Sequence, residues 1–122
     1  MHKTVLDGRI KAGCGDAKHW GIEEIRKATG RGNLYGGTIN VEIDHPHTLR
    51  VDHRLDRRDR TDQRQEDLCF ENCWLITSTG KVSAVIARTS TNFWGDNVLE
   101  IMAEWVEDLQ LGDPVEIEVW TV

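Results

Sequence analysis

Two glycine-rich elements carry the residue types that phosphate chemistry uses. The first is Gly13-Cys14-Gly15-Asp16-Ala17-Lys18, set between a β-compatible stretch and a helical one. Glycines let the backbone turn sharply and present N–H groups to an anion, and a following helix N-terminus adds a favourable dipole. A G-x-G turn is more often only a turn. This one lacks the later glycines of a dinucleotide fingerprint and the G-K-[ST] ending of a P-loop. The second element is Gly36-Gly37-Thr38-Ile39-Asn40-Val41. Thr38 and Asn40 alternate in an expected strand and project from one face. Their neutral oxygens suit a hard cation such as Mg²⁺, which keeps waters and binds phosphates. A polar, hydrogen-bonded strand face accounts for the same spacing. Glu100, inside Val98-Leu99-Glu100-Ile101-Met102-Ala103, either faces solvent on an alternating strand or is buried for a reason.

Other chemistry is less well supported. Asp44, His45 and His47 have the residue types of a transition-metal site, but Pro46 in a turn after a strand explains the segment without one. Cys14, Cys69 and Cys73 are an odd set, which suggests free thiols. No Ser-His-Asp or Cys-His pattern stands out. The N-terminus lacks the apolar run of a signal peptide, so a cytoplasmic chain is expected.

The elements that must position these residues are mostly strands. Thr4 to Ile10 is short and β-compatible, and residues 18–29 turn helical, with Trp20 or Ile22, Ile25 and Ala28 on one face, Glu23 and Lys27 paired on the other, and Gly30 ending the helix. Thr38 to Ile43, Lys81 to Ile86 and Val115 to Trp120 alternate with period two, while Leu68 to Ile76 and Val98 to Ala103 are more continuously apolar. About six strands and one short helix in 122 residues predict a mostly β, small closed barrel, a single domain over residues 1–122. Residues 50–67 hold six Arg and six Asp or Glu with no apolar period and read as a self-neutralised, solvated loop.

Charge excludes some partners. The formal net charge is −6, and after Arg88 there are eight acids and no Lys, Arg or His. Nucleic-acid binding needs clustered positive charge, so neither nucleic acid nor a membrane surface is expected as a partner. No apolar run approaches the ~20 residues that span a bilayer. Of the five tryptophans, Trp20, Trp74 and Trp120 read as structural, and Trp94 and Trp105 stay open.

Taken in order, Gly13-x-Gly15-x-Ala17, Gly37-Thr38-Ile39-Asn40-Val41, Val98-Leu99-Glu100-Ile101-Met102-Ala103 and Leu111-Gly112-Asp113-x-Val115-Glu116-Ile117-Glu118-Val119 make a series that resembles the archaeal CTP-dependent riboflavin kinases. The resemblance spans Leu6 to Val119 and implies a six-stranded cradle-loop β-barrel. It also implies Mg²⁺-dependent phosphoryl transfer from CTP, or another nucleoside triphosphate, to the ribityl 5′-hydroxyl of riboflavin, giving FMN. On that resemblance Gly13, Cys14, Gly15, Asp16, Ala17 and Lys18 line the nucleotide, with Trp105, Val106, Glu107 and Asp108 from a second segment. Thr38 and Asn40 hold Mg²⁺, Glu100 and a threonine of Arg88-Thr89-Ser90-Thr91 contact the flavin, Thr89 as the best match to the family's R-T position and Thr91 as the fallback, and Glu100 orients or deprotonates the attacking hydroxyl. One segment departs from the family's A-P-x-x-L-R. Residues 103–108 here read Ala-Glu-Trp-Val-Glu-Asp, with Glu104 in place of the proline and Asp108 in place of the arginine. Two other classes compete: a non-catalytic flavin, nucleotide or small-molecule binding module on the same barrel, and a DNA-binding barrel, which the acidic C-terminal third disfavours.

Overall fold

Alternation along each strand sorts the side chains into an inward and an outward set, and the chain closes around the inward one. The strands are β1 His2–Lys11, β2 Ile39–Ile43, β3 His53–Leu55, β4 Leu68–Thr77, β5 Gly80–Thr89, β6 Val98–Ala103 and β7 Pro114–Thr121, with one helix, α1 Ile22–Thr29. The structure, a computed structural model, describes residues 2–12, 21–56, 67–89 and 97–121. Neighbours run β4-β5-β6-β2-β1-β7, and β7 pairs back onto β4, which makes a closed six-stranded barrel. Every pairing is antiparallel. The mostly β barrel with a short helix is the architecture expected from the strand pattern.

A seventh strand, β3, was not expected; residues 53–55 fall in the stretch read as a solvated loop. β3 pairs with Leu68 to Phe70, while β7 takes Trp74 to Ile76 on β4. Polar contacts hold the strand rather than an apolar period: Arg54 pairs with Asp67, His53 with Asn72 at 2.9 Å, and the Asn72 N–H donates to Asp52 at 2.9 Å. Residues 57–66 lie outside the described residues.

The inward set includes Val41, Ile43, Leu75, Ile86, Leu99, Ile101, Ile117 and Val119, and it fills the barrel. A second apolar cluster lies outside, where Leu68, Phe70, Val85, Ala87 and Met102 meet Ile25 of α1 and Leu34. β4 and β5 are thus buried on both faces, which is why Leu68 to Ile76 lacks a clean alternation. α1 ends at Gly30, whose φ of 69° suits glycine and whose N–H donates to the Arg26 carbonyl. Glu23 reaches Arg26 one turn on, not Lys27 as the spacing suggested. Residues 18–20 of the expected helix lie outside the described residues. No helix among the described residues is long and apolar enough to cross a membrane.

Cys69 and Cys73 are free thiols buried in the barrel interior, and burial pushes both thiols up from their ordinary range. Cys14, Trp20 and Trp94 lie outside the described residues. Trp74 and Trp120 are half-buried, and the Lys81 ammonium sits 5.0 Å from the Trp74 ring centre.

Gly8 is where β1 passes from one neighbour to the other, opposite both Ile43 of β2 and Val115 of β7. A Cβ there would stand 2.4 Å from Val41 Cγ1 and 2.7 Å from the Glu42 carbonyl oxygen. Gly8→Ala is expected to destabilise the barrel by about 1–3 kcal/mol, since the backbone must shift to admit the methyl group. Urea unfolding measures this, and an unchanged midpoint would show that β1 has slack here.

On the outer wall, Lys81 donates to Glu118 at 3.1 Å and Lys3 stands 3.6 Å away. The Lys81 hydrogen bond, opposed by burial and aided by Lys3, holds the Glu118 carboxyl below the ordinary carboxylate range. A carboxyl depressed in the folded state stabilises the fold above its unfolded value of about 4.3, and that stabilisation is lost as pH falls through the folded value. Wild type is therefore expected to exceed Glu118→Gln in stability at neutral pH, and the gap should close in acid. Parallel stability–pH curves for the two proteins would contradict the assignment.

Candidate functional site

Asn40 and Glu100 are 60 positions apart in sequence, yet they stand directly opposite each other in the β2–β6 pairing. Residues so paired project to the same face with Cβ atoms about 4.5–5.5 Å apart. Val41 and Leu99, one residue along on each strand, point into the barrel, so Asn40 and Glu100 point outward. Asn40 is 8% exposed, and Glu100 is half-buried. The two readings of Glu100, solvent-facing or buried, give way to an intermediate state beside a buried amide.

The row continues. Glu100 is opposite Ala87 of β5, and Ala87 is opposite Phe70 of β4, beneath α1. Ala87 is itself fully buried and belongs to the apolar cluster under α1, so Glu100 stands at the edge of that cluster. Thr89 is two residues past Ala87 on β5, on the same outward face, half-buried and opposite Leu68. The carboxylate and the threonine expected to meet the flavin thus share one wall, beside the buried apolar cluster under α1. Thr91, the fallback, lies outside the described residues.

Thr38 precedes β2 and lines a cleft of about 260 Å³, together with Tyr35, Gly37, Trp105, Val106 and Asp108. Three of the four residues expected to meet the nucleotide in this segment therefore border one hollow, next to an expected metal ligand. Glu107 is exposed and does not line it. Val106 is half-buried and packs against the barrel core, so part of its role is to anchor the segment. Asp108 holds φ at 63°, a left-handed conformation that Asp tolerates better than most residues. That backbone requirement gives a structural reason for Asp at this position.

Tyr35 is an addition that the residue pattern did not single out. Its ring meets Trp105 edge-on, with centroids 4.7 Å apart and planes at 73°, and the two rings are 51% and 62% exposed. Its N–H donates to the Ala103 carbonyl at 2.8 Å, which ties the loop before β2 to the end of β6. An aromatic residue just before Gly36-Gly37 was the available signal.

The donors near Asn40 are oxygens: the Thr38 hydroxyl, the Asn40 amide and the Glu100 carboxylate. Such a set fits Mg²⁺ held jointly with phosphate oxygens and waters rather than by an all-protein cage. No cluster of three or more His, Cys, Asp or Glu able to hold a metal occurs among the described residues. His47 is engaged elsewhere, with Nε2 2.6 Å from Glu71 Oε1, and this contact accounts for it without a metal. Gly13, Cys14, Gly15, Asp16, Ala17 and Lys18 lie outside the described residues; they follow β1, whose last residue, Lys11, is paired with Asn40.

A second polar group was missed altogether. Glu71 lies on the inward face of β4 between Cys69 and Cys73 and is 1% exposed. It accepts from His47 and from the Arg50 N–H at 3.3 Å, while Arg88, inward-facing on β5 and buried, donates to the His47 carbonyl. These contacts fasten residues 47–50, with Leu49 inserted into the core, to the barrel interior. They serve the fold that holds β5 and β6 in place. No family model matches this sequence, and no curated protein matches it.

Proposed function

We propose that this chain is a Mg²⁺-dependent phosphotransferase that moves the terminal phosphoryl group of a nucleoside triphosphate, CTP by the resemblance of its motifs, to the 5′-hydroxyl of riboflavin. The observation that carries this reading is the register of β2 and β6, which sets Asn40 against Glu100. In the proposed reaction the riboflavin hydroxyl oxygen bonds to the γ-phosphorus. The bond from that phosphorus to the β,γ-bridging oxygen breaks, the nucleoside diphosphate leaves, and the hydroxyl proton passes to the Glu100 carboxylate. Phosphoryl transfer has a loose transition state, so positioning and charge neutralisation supply most of the catalysis. Bound Mg²⁺ would neutralise phosphate charge. Thr38 and Asn40 would hold it, Thr89 and Glu100 would orient the flavin's hydroxyl chain, and the cleft at Tyr35 and Trp105 would take the nucleotide's ring.

A second reading has its own support. Asp108 lines the cleft where a nucleotide-binding arginine would be expected, and an acid there opposes a triphosphate. This favours a binding module that holds a flavin or another planar molecule without turnover. Incubation with riboflavin, Mg²⁺ and each nucleoside triphosphate in turn, with chromatography for FMN, separates the two. FMN formed in proportion to enzyme supports the kinase. Flavin binding without FMN from any donor supports the module and overturns the kinase.

A further inference from the structure

We propose that Lys11 is a cation that binds the transferring phosphate in this site, an inference that rests on the phosphotransferase reading above. The outward row does not begin at Asn40. Lys11, the last residue of β1, is opposite Asn40 on β2, so Lys11, Asn40 and Glu100 follow one another across three adjacent strands on one face. Strands lie about 4.8 Å apart, which puts the Lys11 and Glu100 backbones about 10 Å apart with the Asn40 amide between them. A phosphate placed over Asn40 would then have an ammonium on one side and the carboxylate that receives the hydroxyl proton on the other.

Charge supplies the second part of the argument. Glu100 lies on this row, Glu42 two residues along β2 on the same face, and Glu104 and Asp108 at the neighbouring cleft, and a bound triphosphate adds further negative charge. A site for that substrate needs a basic side chain. Other described cations on the outward face are placed or bonded differently: Arg9, two residues earlier on β1, stands opposite Glu42 rather than Asn40 and donates to the Gly112 carbonyl at 3.2 Å. Arg26 donates through Nε and Nη2 to the Leu34 carbonyl at 2.9 and 2.7 Å and also pairs with Glu23, while Arg31 bonds Ser83 and Asn72. Lys11 makes a 3.2 Å ion pair with Glu42, and both side chains are more than half exposed. Pairs of that kind are worth little, about 0.2–1 kcal/mol, and break readily for a better anion. Glu42 is two residues from Asn40 on the same face, so the ammonium moves from one to the other by rotation within its own side chain.

The test uses the intact chain and Mg²⁺-tripolyphosphate, a probe with phosphates but no base, in titration calorimetry. Lys11→Met is expected to weaken binding by about 10- to 100-fold, the range for losing a charge-assisted contact. Lys11→Arg should retain most of the affinity, and Lys27→Met, which removes an exposed lysine of α1, should leave it unchanged. Equal affinity in wild type and Lys11→Met overturns the proposal, and so does a wild type that does not bind tripolyphosphate. The two readings fail separately. FMN formation at wild-type rate and KM in Lys11→Met removes Lys11 and leaves the kinase. Tripolyphosphate binding that depends on Lys11, with no FMN from any donor, removes the kinase and leaves the phosphate site.

Discussion

Glu100→Gln is expected to lower the turnover of riboflavin to FMN by about 10²-fold, the typical cost of losing a general base, while changing riboflavin affinity much less. Glutamine keeps the shape and one acceptor oxygen of the carboxylate, so contacts to the flavin's hydroxyl chain persist. What it loses is the capacity to take the proton from the attacking hydroxyl, and that loss appears in kcat. The neighbours of Glu100 sharpen the expectation. Asn40 on one side and Ala87 on the other carry no charge, so neither replaces its basicity. Because the transition state is loose, little proton transfer is needed early, and a fall nearer tenfold remains within the mechanism. Steady-state rates and fluorescence titration of flavin on both proteins decide it. An active enzyme with unchanged kcat would leave Glu100 without a part in the reaction. An inactive wild type in which only affinity responds would identify the binding module.

How far the sequence disclosed this site follows from what sets each part. Period two in Thr38 to Ile43 and Val115 to Trp120 reports one buried face, so these strands were legible, and with them the barrel. β3 was not, because Leu55 is its single apolar residue and its pairing depends on Asp52, Asn72 and Asp67. Thr38, Asn40 and Glu100 were legible as residue types. Their juxtaposition was not, since a shift of one residue in the β2–β6 register would send Glu100 to the other face, and no local signal fixes that register. Lys11 was missed for the same reason. Glu71 was hidden differently. It interrupts an apolar run, as a solvent-facing residue would, yet Cys69, Glu71 and Cys73 share an inward face. Parity within β4 was the available signal, and the partners that make burial tolerable, His47 and Arg50, come from a loop far away in sequence.

Glu71→Ala is expected to destabilise the fold by about 3–5 kcal/mol, the cost of removing one partner from a buried charged network. The carboxylate is 1% exposed and accepts from His47 Nε2 at 2.6 Å and from the Arg50 N–H at 3.3 Å. Truncation leaves both donors facing a cavity. It also removes the carboxylate from the inward face that carries Arg88, which is itself buried. The damage should extend to residues 47–50, because the Glu71 carboxylate, with the Arg88 guanidinium, the Arg50 bond to the Trp120 carbonyl and the buried Leu49, ties that segment down. Glu71→Gln keeps the size and one acceptor oxygen, and its cost should be smaller, about 1–3 kcal/mol. His47→Ala removes the donor and leaves the Arg50 contact, so it should fall between them. In the double variant His47→Ala/Glu71→Ala the losses should sum to more than is observed, since the shared hydrogen bond is lost only once. Urea unfolding of the four variants and wild type gives the cycle. Strict additivity, or a Glu71→Ala protein as stable as wild type, would mean that the network satisfies buried groups without holding the barrel end together.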